Sequence, residues 1–485
     1  MINLNFGLLG HVDSGKTTLA KALSTVGSTG AFDKHANEVK NIRANTIDLG
    51  FSSLSIDGTT ISLIDCPGHG SLIKAVFIAA SVFDGAIILI NAVKGIEVQT
   101  VEHLLLASVL CSEKVIIVLN KTDLVQKEKY EMFIKKLPKL LKTLNISEQT
   151  KIIATSLMEG NEKGLENLLK ALKDILFEPI RKVDNKLIMS VDHCFPIKGK
   201  GTVATGTIVK GQIKVNDLIE VPELGQTCKV KEIQCWKKPV AKATAGQRAA
   251  LLFSSFPNHD LSRFIICSVG AMKKINKCLV KINKIPSFKF NIKNRSKMHI
   301  YIGFEAAMAE CKFYLKTAEG DFEHKESLNE GCSHALLIFD GPVFVSEDIF
   351  LMAAKLDIQD SQACRFAFYS TSVECIEEES SLKVFKRKQK EGVVDRVENE
   401  RSLICKNMFK PETNLNIFIN MKVVFETGLT GTITSSFGKS AKFRIELERE
   451  LSEEEVNHIK KVKLFLYLKK YIHSNFLLSY IPSPR

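Results

Sequence analysis

No two of the twelve cysteines stand in a C-x-x-C pair. That argues against a zinc knuckle and against a disulfide framework, and suits a reducing compartment. Long apolar runs are missing too. The most strongly apolar stretches, residues 86–90 and 115–119, are far too short to span a bilayer, so no membrane partner is expected. No basic-then-apolar leader precedes the first strand. A signal peptide is therefore not expected, and a cytoplasmic location is, with a nuclear fraction allowed for. Acidic residues are in deficit, 54 against 67 Lys and Arg, for a formal charge of +13. The balance favours anionic partners such as nucleic acid, although compositional drift would produce it as well. The dinucleotide fingerprint G-x-G-x-x-G is absent. What remains is ordinary globular composition, 45% hydrophobic and 25% charged, over 485 residues, enough for several domains.

What is present starts with an apolar run at residues 4–9. It leads into Gly10-His11-Val12-Asp13-Ser14-Gly15-Lys16-Thr17 and then Thr18-Leu19-Ala20-Lys21. This is strand, glycine-rich loop and helix at the spacing G-x-x-x-x-G-K-T. The N–H groups of such a loop cradle phosphates, Lys16 reaches the outer phosphates, and the Thr17 hydroxyl is placed for Mg²⁺. Residues 32–48 are polar and irregular and read as a loop ending near Thr46. In a Mg²⁺-dependent GTPase a loop threonine closes over the metal when the γ-phosphate is present, although a lone Thr is more often a surface residue.

A strand at 61–64 delivers Asp65-Cys66-Pro67-Gly68-His69. Asp65 is placed to hold Mg²⁺ from behind, Gly68 offers an N–H that senses the γ-phosphate, and His69 can orient the attacking water. The helix at 71–80 would be a second switch. A strand at 82–90, an amphipathic helix at 99–110 and a strand at 115–119 follow, ending in Asn120-Lys121-Thr122-Asp123. Asp123 can accept guanine N1–H and N2–H together, which adenine does not offer, so N-K-x-D argues against an ATPase. The last strand, 151–154, precedes Thr155-Ser156-Leu157, where Ser156 places a main-chain N–H near guanine O6. A helix at 165–176 closes a doubly wound sheet with its ligand loops at the strands' carboxyl ends.

Beyond residue 187 the pattern changes to short alternating strands with glycine turns, at 187–191, 201–209, 217–221, 228–233 and 249–253. A small β-barrel is expected there. A second β-rich unit is expected with strands at 288–292, 297–302, 311–315, 334–339 and 365–368. The last unit opens on the basic run Lys383-Val384-Phe385-Lys386-Arg387-Lys388-Gln389-Lys390 and contains a strand at 441–447 that suggests another barrel. Lys460, Lys461, Lys463, Lys469 and Lys470 interleave with Phe465, Tyr467 and Tyr471, so 461–469 reads as a strand with one basic face. Each lysine cluster is either a solvated surface or a nucleic-acid contact.

Together these residues resemble the translational GTPases that deliver charged tRNA to the ribosome, and among them the eukaryotic-type selenocysteine-specific elongation factors. The motifs carrying the resemblance are Gly10 through Thr17, Arg43-Ala44-Asn45-Thr46, Asp65 through His69, and Asn120 through Asp123. Asp48-Leu49-Gly50-Phe51-Ser52, Val191-Asp192-His193-Cys194-Phe195 and Phe437-Gly438-Lys439-Ser440-Ala441-Lys442-Phe443 add to it. The family's R-G-x-T is R-A-N-T here, and its usual isoleucine wall beside the histidine is Asn45. GTP binding is expected to stay intact and intrinsic hydrolysis to be altered.

The resemblance implies a GTPase domain at 1–180, barrel domains at 185–268 and 269–372, and a mainly β fourth domain at 380–485 that contacts tRNA and the recoding machinery. It implies GTP or GDP bound by Gly10, His11, Val12, Asp13, Ser14, Gly15, Lys16, Thr17, Thr18, Thr46, Asp65, Gly68, Asn120, Lys121, Asp123, Ser156 and Leu157. Mg²⁺ would be held by Thr17, Thr46 and Asp65, with His69 catalytic. The aminoacyl pocket would be Asp192, His193 and Arg248, with Asp192 orienting His193 and the two cations favouring a selenolate over a seryl group. The implied partners are selenocysteinyl-tRNA, the ribosome and a SECIS-element-binding adaptor, with the factor itself a monomer. A general aminoacyl-tRNA carrier and a non-hydrolysing GTP-dependent RNA or ribosome binder are the alternatives.

Overall fold

The computed structural model describes residues 2–24, 26–27, 49–69, 72–157, 162–183, 186–256, 263–346, 349–358, 363–438, 441–472 and 479–480. Ala44, Asn45 and Thr46 lie outside them. The chain divides into two compact units. One is Met1–Phe290 with Lys297–Glu310 and Leu337–Glu374; the other is Asn291–Ser296 with Cys311–Leu336 and Cys375–Arg485.

The first unit begins with β1 (Asn3–Leu9), α1 (Lys16–Leu23), β2 (Val26–Gly27), β3 (Gly50–Ile56), β4 (Thr59–Asp65) and α2 (Ile73–Ala80). It continues through β5 (Gly85–Asn91), α3 (Val98–Leu110), β6 (Val115–Asn120), α4 (Lys127–Thr143), β7 (Lys151–Ala154) and α5 (Glu162–Asp174). The strand order is β2-β3-β4-β1-β5-β6-β7, with β3 antiparallel to β4 and the strands from β4 to β7 parallel. Every residue of β5 and β6 is buried, as strands covered on both faces require. Leu19, Leu23, Leu168 and Leu172 of α1 and α5 pack one face. Val76, Phe77, Leu104, Leu106, Leu137 and Leu141 of α2, α3 and α4 pack the other.

Two details depart from the sequence reading. β5 starts at Gly85 rather than 82, because Val82 and Phe83 N–H groups bond back to Ala79 and Ala80 at 3.2 Å and make a turn. The helix α4 has no counterpart in that reading: only Leu137 and Leu141 are fully buried on it, and Pro138 lies inside it.

In the same unit, strands Ile188–Ile197, Gly201–Lys210, Arg248–Phe253, Gln226–Cys235, Leu218–Val221 and Phe264–Ser268 pair in a closed ring around Met189, Val191, Ile208, Leu251, Phe253 and Ile266. The expected barrel is present, and Phe264–Ser268, which the periodicity does not reveal, closes it. The expected strand at 288–292 is instead irregular: Phe288 N–H bonds to Ile285 O at 3.0 Å in a turn. Tyr301 stacks on Phe77 with centroids 4.8 Å apart. Arg365 donates through Nε and Nη2 to both oxygens of Glu102 at 2.6 Å. Glu102 is only 1% exposed, so stripping away its partner would cost about 3–5 kcal/mol.

In the second unit, strands Val384–Val397, Ser402–Lys406, Lys442–Leu447, Thr430–Phe437, Lys422–Phe425 and Lys463–Tyr471 also pair in a closed ring. Leu403, Phe425, Phe443, Ile445, Leu464 and Leu466 fill it. Strand Phe322–Lys325 runs parallel against Val384–Val397. Among the described residues, no helix is long and apolar enough to cross a membrane.

Candidate nucleotide and aminoacyl sites

The loop between β1 and α1 requires glycine at two positions. Gly10 has φ +140° and a Cβ there would meet Leu89 O at 2.2 Å; Gly15 has φ +100° and its Cβ would meet Asn120 Nδ2 at 2.3 Å. The close approach at Gly15 exists because Asn120, at the end of β6, donates from Nδ2 to Ser14 O at 2.8 Å. The guanine-type motif therefore buttresses the phosphate-type loop directly. Lys16 Nζ donates to Gly10 O at 2.9 Å and His11 O at 2.8 Å, which aims it across the loop. Thr17 Oγ1 donates to Asp65 Oδ2 at 2.6 Å. Thr122 N–H and Oγ1 both bond to Thr155 O, at 3.3 and 3.1 Å, tying Asp123 to the Ser156 turn.

These loops enclose a cavity of about 620 Å³, within the usual range for a small-molecule site. Val12, Asp13, Gly15, Lys16, Thr17, Thr18, Gly68, His69, Asn120, Lys121, Asp123, Ser156 and Leu157 all line it. Of the remaining candidates, Ser14 is fully buried, His11 turns to Glu97 at 3.2 Å, Asp65 stands behind Thr17, and Gly10 holds the loop's entry. Thr46 lies outside the described residues. Asn91, Lys94 and Leu124 also line the cavity. Nothing in their own sequence context singles them out beyond lying next to the motifs.

The cavity's chemistry fits a Mg²⁺-bound nucleoside triphosphate. Among the described residues, Asp65 Oδ1, Asn120 Oδ1 and Ser14 Oγ are buried without a hydrogen-bond partner, the state expected of groups that need a ligand or water. Burial lowers the Lys16 ammonium's pKa despite Asp65 opposing it, and burial raises the Asp65 carboxyl despite the Thr17 hydroxyl. Each charge is thus underserved by solvent, and a phosphate or a metal would supply what is missing.

His103, from α3, is a site residue that the sequence does not reveal. Its Nδ1 accepts the Gly10 N–H at 2.9 Å, so the neutral ring carries its proton on Nε2. Burial pulls its pKa down to about 3 from an ordinary 6.5. The unfolded chain therefore takes up a proton below about pH 6.5 that the folded chain refuses. Stability from this group is present above that pH and is lost as the pH falls, at up to about 1.4 kcal/mol per pH unit. Thermal midpoints measured from pH 7 to 5 should fall more steeply for the parent than for His103→Gln; parallel curves would refute this assignment.

In the first barrel, Arg248 and Asp192 form an ion pair, Nη1 to Oδ2 at 2.6 Å, and are 7% and 8% exposed. Asp192 Oδ1 accepts from Thr205 Oγ1 and from the main-chain N–H of His193, both at 3.1 Å. Asp192 thus grips Arg248 rather than the His193 ring that it was expected to orient. The reason lies in the register: His193 pairs with Thr205 across a bulge in Ile188–Ile197, while Arg248 pairs with Thr207 on the neighbouring strand. The Arg248 guanidinium carbon lies 3.4 Å from the ring centroid of Phe51, on β3.

The two C-terminal lysine clusters come together in the second unit. Strands Val384–Val397 and Lys463–Tyr471 pair so that Lys386 faces Lys470 and Arg387 faces Lys469. Much of this charge is neutralised locally. Lys386 reaches Glu326 at 2.9 Å, Arg387 reaches Glu323 at 2.8 Å, Lys463 reaches Glu391 at 2.7 Å, and Lys469 reaches Asp321 at 3.1 Å. The expected single basic face is not what forms. Lys469 is buried, and Phe465 and Tyr467 alternate against the buried Leu464, Leu466 and Leu468. Lys383, Lys388, Lys460, Lys461 and Lys470 remain exposed.

Comparison with known proteins places these sites in a family context. Residues 2–178 match the model of the elongation factor Tu GTP-binding domain. Residues 279–330 match the third domain of eukaryotic selenocysteine-specific elongation factors, and residues 380–473 match the eEFSec C-terminal RIFT domain. The selenocysteine-specific elongation factor of Mus musculus is 33% identical, with 93% of this chain and 89% of that protein aligned. That of Methanocaldococcus jannaschii is also 33% identical, with 96% and 98% aligned. The crystal structure of elongation factor SelB from Methanococcus maripaludis with the GTP analogue GppNHp is similar at TM-score 0.79 and 26% identity, covering 98% of this chain and 99% of that one. A bacterial EF-Sec structure is similar at TM-score 0.61 and 25% identity, covering 76% of this chain and 58% of that one.

Proposed function

The chain belongs to the selenocysteine-specific elongation factors, and from that premise we propose how its own residues do the work of a GTP-hydrolysing carrier of selenocysteinyl-tRNA to the ribosome. The observation that carries the reading is the single cavity on which Gly15, Lys16, Thr17, His69, Asn120 and Asp123 converge. Lys16 swings its ammonium from the loop carbonyls to the outer phosphates. Thr17 and Asp65, together with Thr46, are the residues that would hold Mg²⁺. When bound, Mg²⁺ would supply neutralisation of phosphate charge there. Asp123 accepts guanine N1–H and N2–H, and the Ser156 N–H faces O6. Gly68 offers its N–H to the γ-phosphate, and His69, exposed at the cavity's rim, orients the attacking water once the ribosome orders it.

Asp192, His193 and Arg248 form the aminoacyl pocket. A selenol is far more acidic than a serine hydroxyl and is an anion at neutral pH, so a guanidinium distinguishes the two. Arg248 has five N–H donors, and the bond to Asp192 uses Nη1. The cargo is then read without breaking the ion pair. A monomeric factor in the cytoplasm working with a SECIS-element-binding adaptor completes the reading, with the exposed lysines of the C-terminal barrel as its RNA contacts.

The test compares selenocysteinyl-tRNA and seryl-tRNA of the same body for GTP-dependent binding. The parent should prefer the first by about tenfold or more, and Arg248→Ala should remove most of that preference. Equal affinities for the parent would refute the pocket.

A further inference from the structure

Two sites that a carrier must link, the phosphate end of the nucleotide cavity and the aminoacyl pocket, are joined by a short physical path. Thr17 Oγ1 bonds to Asp65 Oδ2 at 2.6 Å. Asp65 ends β4 and is the register partner of Gly50, the first residue of β3. The two are so close that a Cβ on Gly50 would lie 3.2 Å from Asp65 Cβ. The next residue, Phe51, is 7% exposed, and its ring carries the Arg248 guanidinium 3.4 Å from its centroid. Arg248 then holds Asp192 at 2.6 Å. Phe51 also borders a small void together with Leu49, Ile64, Val191 and Asp192, where apolar wall meets the carboxylate.

This geometry has a consequence. A guanidinium stacked on a buried ring is held in one plane, and the cation–π attraction is strongest where water is excluded. Any shift of the β3 start relative to Asp65 moves the ring. The ring's motion then tilts or frees Arg248.

We propose that Phe51 is the positioning residue through which nucleotide state sets the aminoacyl pocket. Its ring holds Arg248 in the cargo-reading orientation while β3 keeps its register with Asp65, and that hold is what makes cargo affinity depend on GTP. This rests on the reading that Asp192 and Arg248 recognise the selenocysteinyl group. Phe51 touches neither nucleotide nor cargo chemistry in this scheme; it acts through Arg248.

The experiment uses the full-length protein and measures selenocysteinyl-tRNA affinity in the presence of GppNHp and of GDP. Three forms are compared: the parent, Phe51→Leu, which keeps an apolar side chain, and Phe51→Trp, which keeps an aromatic face. Phe51→Leu should shrink the GppNHp-to-GDP affinity ratio by about tenfold, while Phe51→Trp keeps most of it. Because coupling is reciprocal, the effect of bound selenocysteinyl-tRNA on the GppNHp-to-GDP preference must shrink by the same factor.

A Phe51→Leu protein that loses affinity equally in both nucleotide states would show a purely structural role and overturn the proposal. So would one whose ratio is unchanged while Arg248→Ala still abolishes discrimination between selenocysteinyl- and seryl-tRNA. If Arg248→Ala leaves that discrimination intact, the pocket reading falls, and the coupling falls with it.

Discussion

Replacing Asp123 by Asn should lower the affinity for GTP by about a thousandfold or more and bring in affinity for xanthosine triphosphate. A site built to hydrogen-bond a particular group rejects the partner that mispairs with it far more strongly than an apolar pocket rejects a missing methyl. The Asp123 carboxylate only accepts. The Asn side chain presents a donor where guanine also donates from N2, whereas xanthine carries an acceptor oxygen at that carbon. The geometry makes this a local change. Asp123 is an exposed side chain on the cavity wall. Its backbone is fixed independently by the Thr122 bonds to Thr155 O at 3.3 and 3.1 Å. Titrating both nucleotides against parent and variant checks it, and a variant that binds GTP as the parent does would remove Asp123 from base recognition.

His69→Ala should reduce ribosome-stimulated single-turnover hydrolysis by about a hundredfold to ten-thousandfold, the usual range for a positioned proton-handling or water-orienting group. Nucleotide affinity should change by less than about twofold, because the ring is exposed at the cavity's edge while the proposed phosphate contacts are Lys16, Thr17 and Gly68. Normal hydrolysis in the variant would mean that another group positions the water. Lost hydrolysis with equally lost binding would mean that His69 holds the loop rather than the water. A parent that binds GTP and tRNA but never hydrolyses on the ribosome would revive the non-hydrolysing alternative.

The GTPase domain was legible because its chemistry is local. Parallel strands covered on both faces read as continuous apolar runs, and the functional side chains sit where those runs end, as at Asp65 and Asn120. What escaped was set by tertiary neighbours. His103 lies on a helix whose periodicity already accounts for it as a core position, yet it caps the Gly10 N–H. Asp192 stands beside His193 in the chain but pairs with Arg248, because strand register outranks sequence adjacency. Lys469 was misread for a similar reason. Leu468 and Lys469 are both buried, so strict alternation fails there, and the lysine is drawn in to Asp321. Phe264–Ser268 is buried continuously over its first four residues, without the alternation that marks the neighbouring strands, although the first barrel cannot close without it.

That closure bears on how such a protein survives its surroundings. A strand at the rim of an open sheet offers unpaired N–H and C=O groups to any extended peptide that meets it. In both barrels every strand of the ring is flanked on each side by another strand of the same ring. A carrier that repeatedly visits the machine producing unfolded chains thus presents, along these rings, no ladder for an emerging polypeptide to extend. Along these two rings, edge-to-edge growth is blocked by topology rather than by surface charge.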